Sequence, residues 1–250
     1  MSAATGVDPG SAGVLLVERN EGITAVTLNR PDKLNAFNAD MVEALLAVVQ
    51  ACCHDGTRLL VLKGAGRNFS AGFDLGDYEA QSEGDLVLRF VRVEQLLQAV
   101  YHAPYQTLAL AHGKNFGAGV DLVCACNRRL AAPDSTFRMP GLRFDLVLGT
   151  RRLVQRIGTD RAREVLAQST TFNAQDAMAM GFIQGCAELP VWPDLVRAAA
   201  AEVAILSAGA MAALLRVTVP DERNADLAEL VRSASSPGLK ERLRRYRAQA

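Results

Sequence analysis

The sequence predicts an α/β protein with a mostly parallel sheet, followed by a helical C-terminal region. Strand-like and helix-like patterns alternate from residue 14 to about residue 132, as crossover connections between parallel strands require. Two apolar runs, residues 59–63 and 106–110, each lead into a glycine-bearing segment. From Pro193 onward the apolar residues recur with helical spacing almost throughout.

The first predicted element is a β-hairpin, because β-branched and apolar residues fill 14–18 and 23–28 on either side of a polar connection. Asn38 then has the character of an N-cap, and the apolar spacing behind it predicts a helix through Cys53. The remaining predicted elements are strands at 59–63, 106–110 and 128–132, and helices near 85–100, 117–126, 151–158, 159–169 and 174–180.

Composition and charge narrow the range of partners. Half of the 250 residues are hydrophobic, and 27 basic residues balance 27 acidic ones. This balance gives no field that would recruit nucleic acid or an anionic membrane, so we expect small molecules or further copies of the chain as partners. The five cysteines are odd in number, which predicts free thiols and a cytoplasmic location.

We divide the chain into three parts. Residues 1–13 are small and polar and are expected to form a disordered lead-in without a targeting signal. Residues 14–195 are expected to form the α/β core, and residues 196–250 the helical region. The apolar stretch 197–215 is interrupted by Glu202, Ser207 and Gly209, which is typical of a packed helix and not of a membrane span.

The two glycine-bearing segments, residues 68–75 and 113–121, predict a functional site. Each leaves a predicted strand and runs toward a helix, which places unpaired backbone N–H groups where a negative charge can develop. The sequence therefore favours an oxyanion hole made of main chain. The alternative is a strand-to-helix loop with a structural role alone. Neither segment has the lysine–serine ending of a phosphate-binding loop.

Three segments carry a family resemblance. They are LNRPDKLNA at residues 28–36, FSAGFDL at 69–75 and GKNFGAGVD at 113–121. In this order and spacing they resemble the crotonase superfamily, which contains the enoyl-CoA hydratases and isomerases. The downstream segments at 158–162 and 174–183 are similar to that family as well, so the resemblance covers residues 14–186.

The resemblance implies a spiral of β-β-α units with a helical C-terminal region, assembled as a homotrimer or a dimer of trimers. It also implies an acyl-CoA thioester as the ligand, with no metal and no cofactor beyond the coenzyme A of the substrate. The thioester carbonyl would accept hydrogen bonds from the backbone N–H groups of Phe73 and Ala118. Residues that would line the coenzyme A are Lys33, Leu34, Ala36, Ala71, Asp74 and Leu75.

The chain departs from its relatives at the catalytic acid and base. Related hydratases use two glutamates, and the corresponding positions here hold Asp121 and Gly141. Asp121 matches the position of an active-site aspartate in the dienoyl-CoA isomerases, so it is the leading catalytic candidate. Asp145 is a displaced second candidate, with a capping or solvent-exposed role as its alternative.

Two function classes therefore stay open. The first is an enzyme of the enoyl-CoA hydratase/isomerase type, which polarises the thioester with two backbone amides and moves protons with Asp121. The second is a non-catalytic acyl-CoA-binding protein of the same fold, in which loss of the glutamates left binding without chemistry. The basic helix at 240–247 also has two interpretations, as a contact for the CoA phosphates or as a solvated face.

Overall fold

The computed structural model describes residues 13–249. Its strands are β1 Leu15–Asn20, β2 Ile23–Leu28, β3 Leu59–Gly64, β4 Gln106–Ala111, β5 Lys114–Phe116, β6 Arg128–Ala131, β7 Thr136–Arg138, β8 Phe172–Asn173 and β9 Gly185–Cys186. Its α-helices are α1 Ala39–Ala51, α2 Glu83–Tyr101, α3 Ala118–Ala125, α4 Thr150–Ile157, α5 Thr159–Gln168, α6 Ala174–Ala179, α7 Trp192–Ala204, α8 Ala208–Thr218, α9 Arg223–Ala234 and α10 Leu239–Gln249.

A six-stranded sheet in the order β1-β2-β3-β4-β6-β9 forms the centre of the fold. β1 and β2 make the antiparallel hairpin, and every later pair of neighbours is parallel. The predicted α/β class, with its mostly parallel sheet and helical C-terminal region, is confirmed. In β3, Leu60 and Leu62 pack with α1, α2 and α3, whereas Leu59 and Val61 pack with α7 and α8. Helices on both faces explain why the strand is apolar throughout.

Local signals set where the helices begin. Asn38 caps α1 as predicted, because its side-chain oxygen accepts a hydrogen bond from Met41 N over 3.1 Å. α2 begins at Glu83, slightly before the predicted start near residue 85. The reason is a capping box, in which Ser82 and Asp85 each bind the other's backbone N–H.

A second, three-stranded sheet contains β5, β7 and β8. The sequence pattern predicts a loop where β5 lies and no strand after residue 132, which is wrong for β5, β7, β8 and β9. These strands are two or three residues long, too short for an alternating pattern to emerge. β7 pairs with β8 through Phe137 and Phe172, so the pairing depends on residues far apart in the sequence.

The domain division at residues 195 and 196 stays a prediction; that point lies inside α7. The proposed lead-in falls outside the described residues except for Gly13. Within residues 13–249, no single helix has the length and apolar character needed to cross a membrane. One bent pair, Leu189–Ala204 with Ala208–Thr218, meets the same criteria only when the two helices are taken together.

The last helix, α10, folds back onto the middle of the same chain. Arg242 on this helix is buried, with 6% of its surface exposed. Its guanidinium group donates to carbonyl oxygens of two separate stretches of backbone, so it joins α10 to both. The acceptors are the carbonyl oxygens of Phe144, Asp145, Ser233, Ala234 and Ser236.

We expect Arg242→Met to lower the free energy of unfolding by roughly 2–4 kcal/mol, because several buried carbonyl groups lose their donor. Arg245→Met, on the exposed side of the same helix, should change it by less than about 0.5 kcal/mol. Urea titration of both variants tests this. Equal losses would show that the buried bonds do not anchor α10.

Candidate active site

The two glycine-bearing segments follow the carboxyl ends of β3 and β4 and touch each other. Gly72 has a φ of +81°, and a Cβ atom on it would lie 2.3 Å from Phe116 O and 3.0 Å from Ala118 N. A Cβ atom on Gly119 would lie 2.6 Å from Ser70 O. Both positions require glycine because the two stretches of main chain are in direct contact.

Buried polar groups hold the first segment in shape. The Asn35 side-chain amide donates to the carbonyl oxygens of Ala65 and Asn68, each over 2.9 Å. Ser70 Oγ donates to Asn35 O over 2.8 Å and accepts from Gly72 N over 3.1 Å. These bonds pair backbone groups that a buried loop would otherwise leave unsatisfied.

The amides of Phe73 and Ala118 are the donors that the family resemblance implies. Within residues 13–249, neither N–H group donates a hydrogen bond to another backbone group. Ala118 is the first residue of α3, where an N–H group has no acceptor inside the helix, and Gly117 turns the chain into that helix with a φ of 49°. Phe73 and Ala118 both line one pocket. Two unpartnered main-chain donors therefore border the same space.

This pocket has a volume of about 140 Å³ and mostly apolar walls. The rings of Phe73 and Phe90 stack with centroids 4.1 Å apart, and Tyr246 of α10 contacts Phe144 with centroids 5.2 Å apart. A space of this kind suits an apolar group, with polar contacts confined to a few positions. Other lining residues are Ala71, Leu75, Phe116, Met139, Leu146 and Leu148.

Asp121 supplies a buried carboxyl group to the pocket wall. It lies in the first turn of α3, is 3% exposed, and has no hydrogen-bond partner for Oδ1 within the described chain. Burial raises the pKa of Asp121 well above its ordinary value, an effect that Arg152 opposes and Glu94 reinforces. Gly149 lies against this carboxyl group, since a Cβ atom there would be 1.8 Å from Oδ1. Asp121 therefore keeps its proton to a higher pH than an exposed aspartic acid.

Arg152 and Glu94 form a buried ion pair whose charges both act on Asp121. Two guanidinium nitrogens donate to the two carboxylate oxygens over 2.9 and 2.5 Å. Because the charges of Arg152 and Glu94 partly offset each other, neither residue acts as a dedicated counter-ion for Asp121. This pair is absent from the predictions above, although a glutamate on the buried face of α2, between Phe90 and Leu97, is a signal in the sequence.

The residues that the family resemblance places along coenzyme A fall into two groups in the structure. Ala71 and Leu75 line the pocket. Lys33 and Leu34 are exposed beside the first glycine segment, to which Leu34 is joined by a hydrogen bond from Ala71 N to Leu34 O over 2.9 Å. Ala71 thus links the pocket to the exposed Leu34.

Ala36 and Asp74 are absent from the lining of this pocket as the structure describes it. Both are bound by Arg30, whose guanidinium donates to Ala36 O over 2.5 Å and to Asp74 Oδ2 over 2.8 Å. These two residues therefore help to fix the first glycine segment to the chain that precedes α1.

Gly141 and Asp145 lie in the region where the family resemblance implies a second acid. Gly141 lines the pocket, and a Cβ atom on it would lie 2.9 Å from Leu146 O, so a larger side chain requires the turn to move. Asp145 is exposed, has a φ of 57° and ends the short turn Gly141–Phe144. Its position fits the structural alternative and not a role in the pocket.

Two basic side chains of α10 form hydrogen bonds with backbone groups of the same chain. Besides the buried Arg242, Lys240 Nζ donates to the carbonyl oxygens of Glu79 and Gln81, over 2.6 and 3.0 Å. Neither interpretation offered for this helix, a phosphate contact or a solvated face, describes these two side chains. Lys240 attaches α10 to the segment that follows the first glycine loop, whereas Arg242 attaches it to the turn at Phe144 and to the end of α9.

Comparison with known proteins gives consistent matches. A family model described as enoyl-CoA hydratase/isomerase matches residues 18–227. A crystal structure from Bordetella parapertussis, provisionally named an enoyl-CoA hydratase/isomerase, has a TM-score of 0.94 at 51% identity and covers 96% of this chain and 100% of that one. An enoyl-CoA hydratase structure from Bacillus halodurans has a TM-score of 0.82 at 21% identity over 93% and 100% of the two chains, and so shows the fold alone.

Curated relatives are similar over shorter lengths. A protein provisionally named enoyl-CoA hydratase from Rhodobacter capsulatus is 36% identical over 170 residues, which span 66% of this chain and 65% of that relative. A protein with the same provisional description from Mycobacterium leprae is 32% identical over 187 residues, 70% of this chain and 73% of the relative.

Replacing Gly72 with alanine tests the contact between the two segments. Gly238 also has a φ of +81°, but nothing lies within 4 Å of a Cβ atom there, so it is a matched control. Gly238→Ala should cost about 1 kcal/mol of unfolding free energy for the left-handed backbone. Gly72→Ala should cost roughly 1–3 kcal/mol more, because the added carbon pushes the segments apart. Equal costs in urea titrations would contradict the argument.

Replacing Asp121 with asparagine should change how stability depends on pH. Because the folded protein binds the Asp121 proton more tightly than the unfolded chain does, the wild type loses stability as the pH rises above about 3.9, until Asp121 ionises in the folded state. Asp121→Asn has no titrating carboxyl group at this position and so has no such loss. Its unfolding free energy, relative to that of the wild type, should therefore be higher at pH 8 than at pH 4. Asp145→Asn, at an exposed site, is the control. A pH-independent difference for Asp121→Asn would contradict the expectation.

Proposed function

We propose that this chain, which belongs to the enoyl-CoA hydratase/isomerase family, binds an enoyl-CoA thioester and moves its double bond by a proton shift. The family membership confirms the resemblance to the crotonase superfamily and the crotonase-like fold. The proposal depends on one observation above all. Two unpartnered backbone amides and one buried carboxyl group share a pocket with mostly apolar walls.

The two amides supply the electrostatic part of the reaction. When the thioester oxygen accepts hydrogen bonds from Phe73 N and Ala118 N, negative charge that moves onto this oxygen is stabilised. Each such donor typically lowers the barrier by about 3 kcal/mol. Their effect is strongest in an enolate, because the oxygen then carries most of the charge. The backbone performs this role whatever side chain is attached, so Phe73 and Ala118 need no polar group.

Asp121 supplies the proton transfer. As a carboxylate it removes a proton from the α carbon of a β,γ-unsaturated acyl group, which breaks that C–H bond and forms a dienolate. It then returns the same proton to the γ carbon, and the double bond ends between the α and β carbons. One carboxyl group suffices because the reaction neither gains nor loses a proton.

Hydration makes a different demand. Addition of water needs one group to orient and deprotonate the water and another to deliver a proton to carbon. Gly141 has no side chain for the second task, and the surrounding walls are mostly apolar. The arrangement of the site therefore favours isomerisation over hydration.

The hydrogen bond between Ala71 and Leu34 guides the placement of the remaining parts of the ligand. We assign the acyl group to the pocket between Phe73, Phe90 and Tyr246, and the coenzyme A to the surface at Lys33 and Leu34. Assembly as a trimer or a dimer of trimers, and a cytoplasmic location, stay predictions from the sequence.

Incubation with trans-3-enoyl-CoA esters in D₂O tests the reaction. We expect a product whose double bond has moved and which has gained no water. Some product molecules should carry deuterium, because the proton on Asp121 can exchange with the solvent before it returns to the γ carbon. Separation coupled to mass spectrometry identifies each CoA species. Gain of one water would establish hydration, free CoA would establish hydrolysis, and an unchanged ester bound to the protein would establish the non-catalytic alternative.

The matched pair Asp121→Asn and Asp145→Asn tests the assignment of the acid. Asp121→Asn should lower kcat by on the order of 10²–10⁴-fold while the affinity for the ester stays nearly intact. Asp145→Asn should leave kcat unchanged. In the wild type, kcat/KM should rise with pH through the raised pKa of Asp121, because the carboxylate is the form that accepts a proton. Unchanged turnover in Asp121→Asn would remove this residue from the mechanism.

A further inference from the structure

The ion pair behind Asp121 belongs to a larger buried network that reaches the C-terminal helices. We propose that Arg152, held by Glu94 and Asp226, is a positioning residue that sets how readily Asp121 gives up and takes back its proton. This inference rests on the proposed function, in which Asp121 alternates between acid and base. It adds residues that touch neither the pocket nor the substrate.

The contacts hold Arg152 in one place. The Arg152 side chain is 2% exposed and the Glu94 side chain 1% exposed. Besides its two bonds to Glu94, the guanidinium donates to Asp226 Oδ2 over 3.2 Å. Glu94 Oε1 accepts a further hydrogen bond from Gln98 Nε2 over 2.9 Å. α2, α4 and α9 each contribute a charged residue to the network, and none of these residues lines the pocket as the structure describes it.

The charges of the network leave Asp121 only part of the field of Arg152. Glu94 and Asp226 both face the guanidinium, and Asp226 is shared with Arg151 over 2.9 Å. An arginine bound to Asp121 alone would hold it as a carboxylate and make it a poor base. No arginine at all would keep the buried carboxyl group protonated. Because Arg152 is shared, its effect on the proton affinity of Asp121 lies between these two cases. This suits a carboxyl group that must both accept and donate a proton.

Other titratable groups surround this region without replacing the network. Arg156 of α4 donates to the carbonyl oxygens of Cys124 and Cys126, over 3.1 Å each, and its guanidinium lies 5.4 Å from the ring centre of Tyr101. Burial raises the pKa values of both thiols and of Tyr101, so these groups stay neutral at physiological pH. Arg152 lies in the first turn of α4, three residues after Gly149, whose backbone packs against the Asp121 carboxyl group. This places the network next to Asp121, and the charges of Arg152 and Glu94 act on it.

The test follows the proton of Asp121 directly. The protein is labelled with aspartate carrying ¹³C in the carboxyl group, and the Asp121 signal is assigned by its absence from Asp121→Asn. Glu94→Gln keeps the shape of the glutamate and removes its charge, which leaves more of the Arg152 field for Asp121. The titration midpoint of Asp121 should fall by about one pH unit or more, a tenfold change in proton affinity. The inflection in kcat against pH should move in the same direction.

A control separates this effect from a general loss of stability. Tyr105→Phe removes a buried hydrogen bond to Val49 O, 2.6 Å long, without changing a charge, and should leave the Asp121 midpoint in place. If Glu94→Gln does not fold, Asp226→Asn provides the second variant, with a smaller downward shift expected. An unmoved midpoint in a folded Glu94→Gln or Asp226→Asn protein would overturn the inference.

The two proposals fail in different ways. The titration needs no substrate, so it decides the role of the network even if the wild type does not turn over enoyl-CoA esters. Absence of turnover with a shifted midpoint would refute the proposed function and leave the network intact. Turnover with an unmoved Asp121 midpoint would refute the role of the network and leave the proposed function intact.

Discussion

The site depends on one contact between two stretches of main chain. Gly72 and Gly119 allow the first and second glycine segments to approach so closely that a Cβ atom on either would overlap the opposite backbone. This contact holds together the segments that carry the amides of Phe73 and Ala118, neither of which is bound to another backbone group in the described chain. Buried side chains such as Asn35 and Ser70 then keep each segment in the required shape. The backbone thus supplies the hydrogen-bond donors of the site, and apart from Asp121 its side chains are mostly apolar.

A buried carboxyl group in such surroundings lowers the stability of the folded protein at neutral pH. Asp121 is tolerated because a neighbouring arginine partly offsets the cost, and that arginine is itself balanced by Glu94 and Asp226. Local departures from the usual rules of burial are expected where a site must do chemistry. Here the charged residues around Asp121 come from three helices, α2, α4 and α9. The C-terminal region therefore contributes, through Asp226, to the electrostatics of a pocket formed mainly by the core.

The parts of this protein that the sequence reveals are those set by local pattern. The hairpin, β3, β4, the Asn38 cap and the two glycine segments each have a signal within a few neighbouring residues. The short strands β5, β7, β8 and β9 do not, because each is stabilised by a partner far away in the chain. The same reason hides the pairing of Glu94 with Arg152, residues 58 positions apart. Asp121 was identifiable by family resemblance, but its raised pKa depends on burial, which the sequence alone does not give.

The return of α10 over the pocket affects how the protein is made. Tyr246, close to the C-terminal end of the described residues, lines the pocket together with residues from far earlier in the chain, such as Phe144 and Phe90. During synthesis the earlier walls emerge from the ribosome first and stay uncovered until residue 246 has followed. A nascent chain therefore exposes these apolar walls before the pocket is complete. Burial of these walls and completion of the pocket thus both depend on α10.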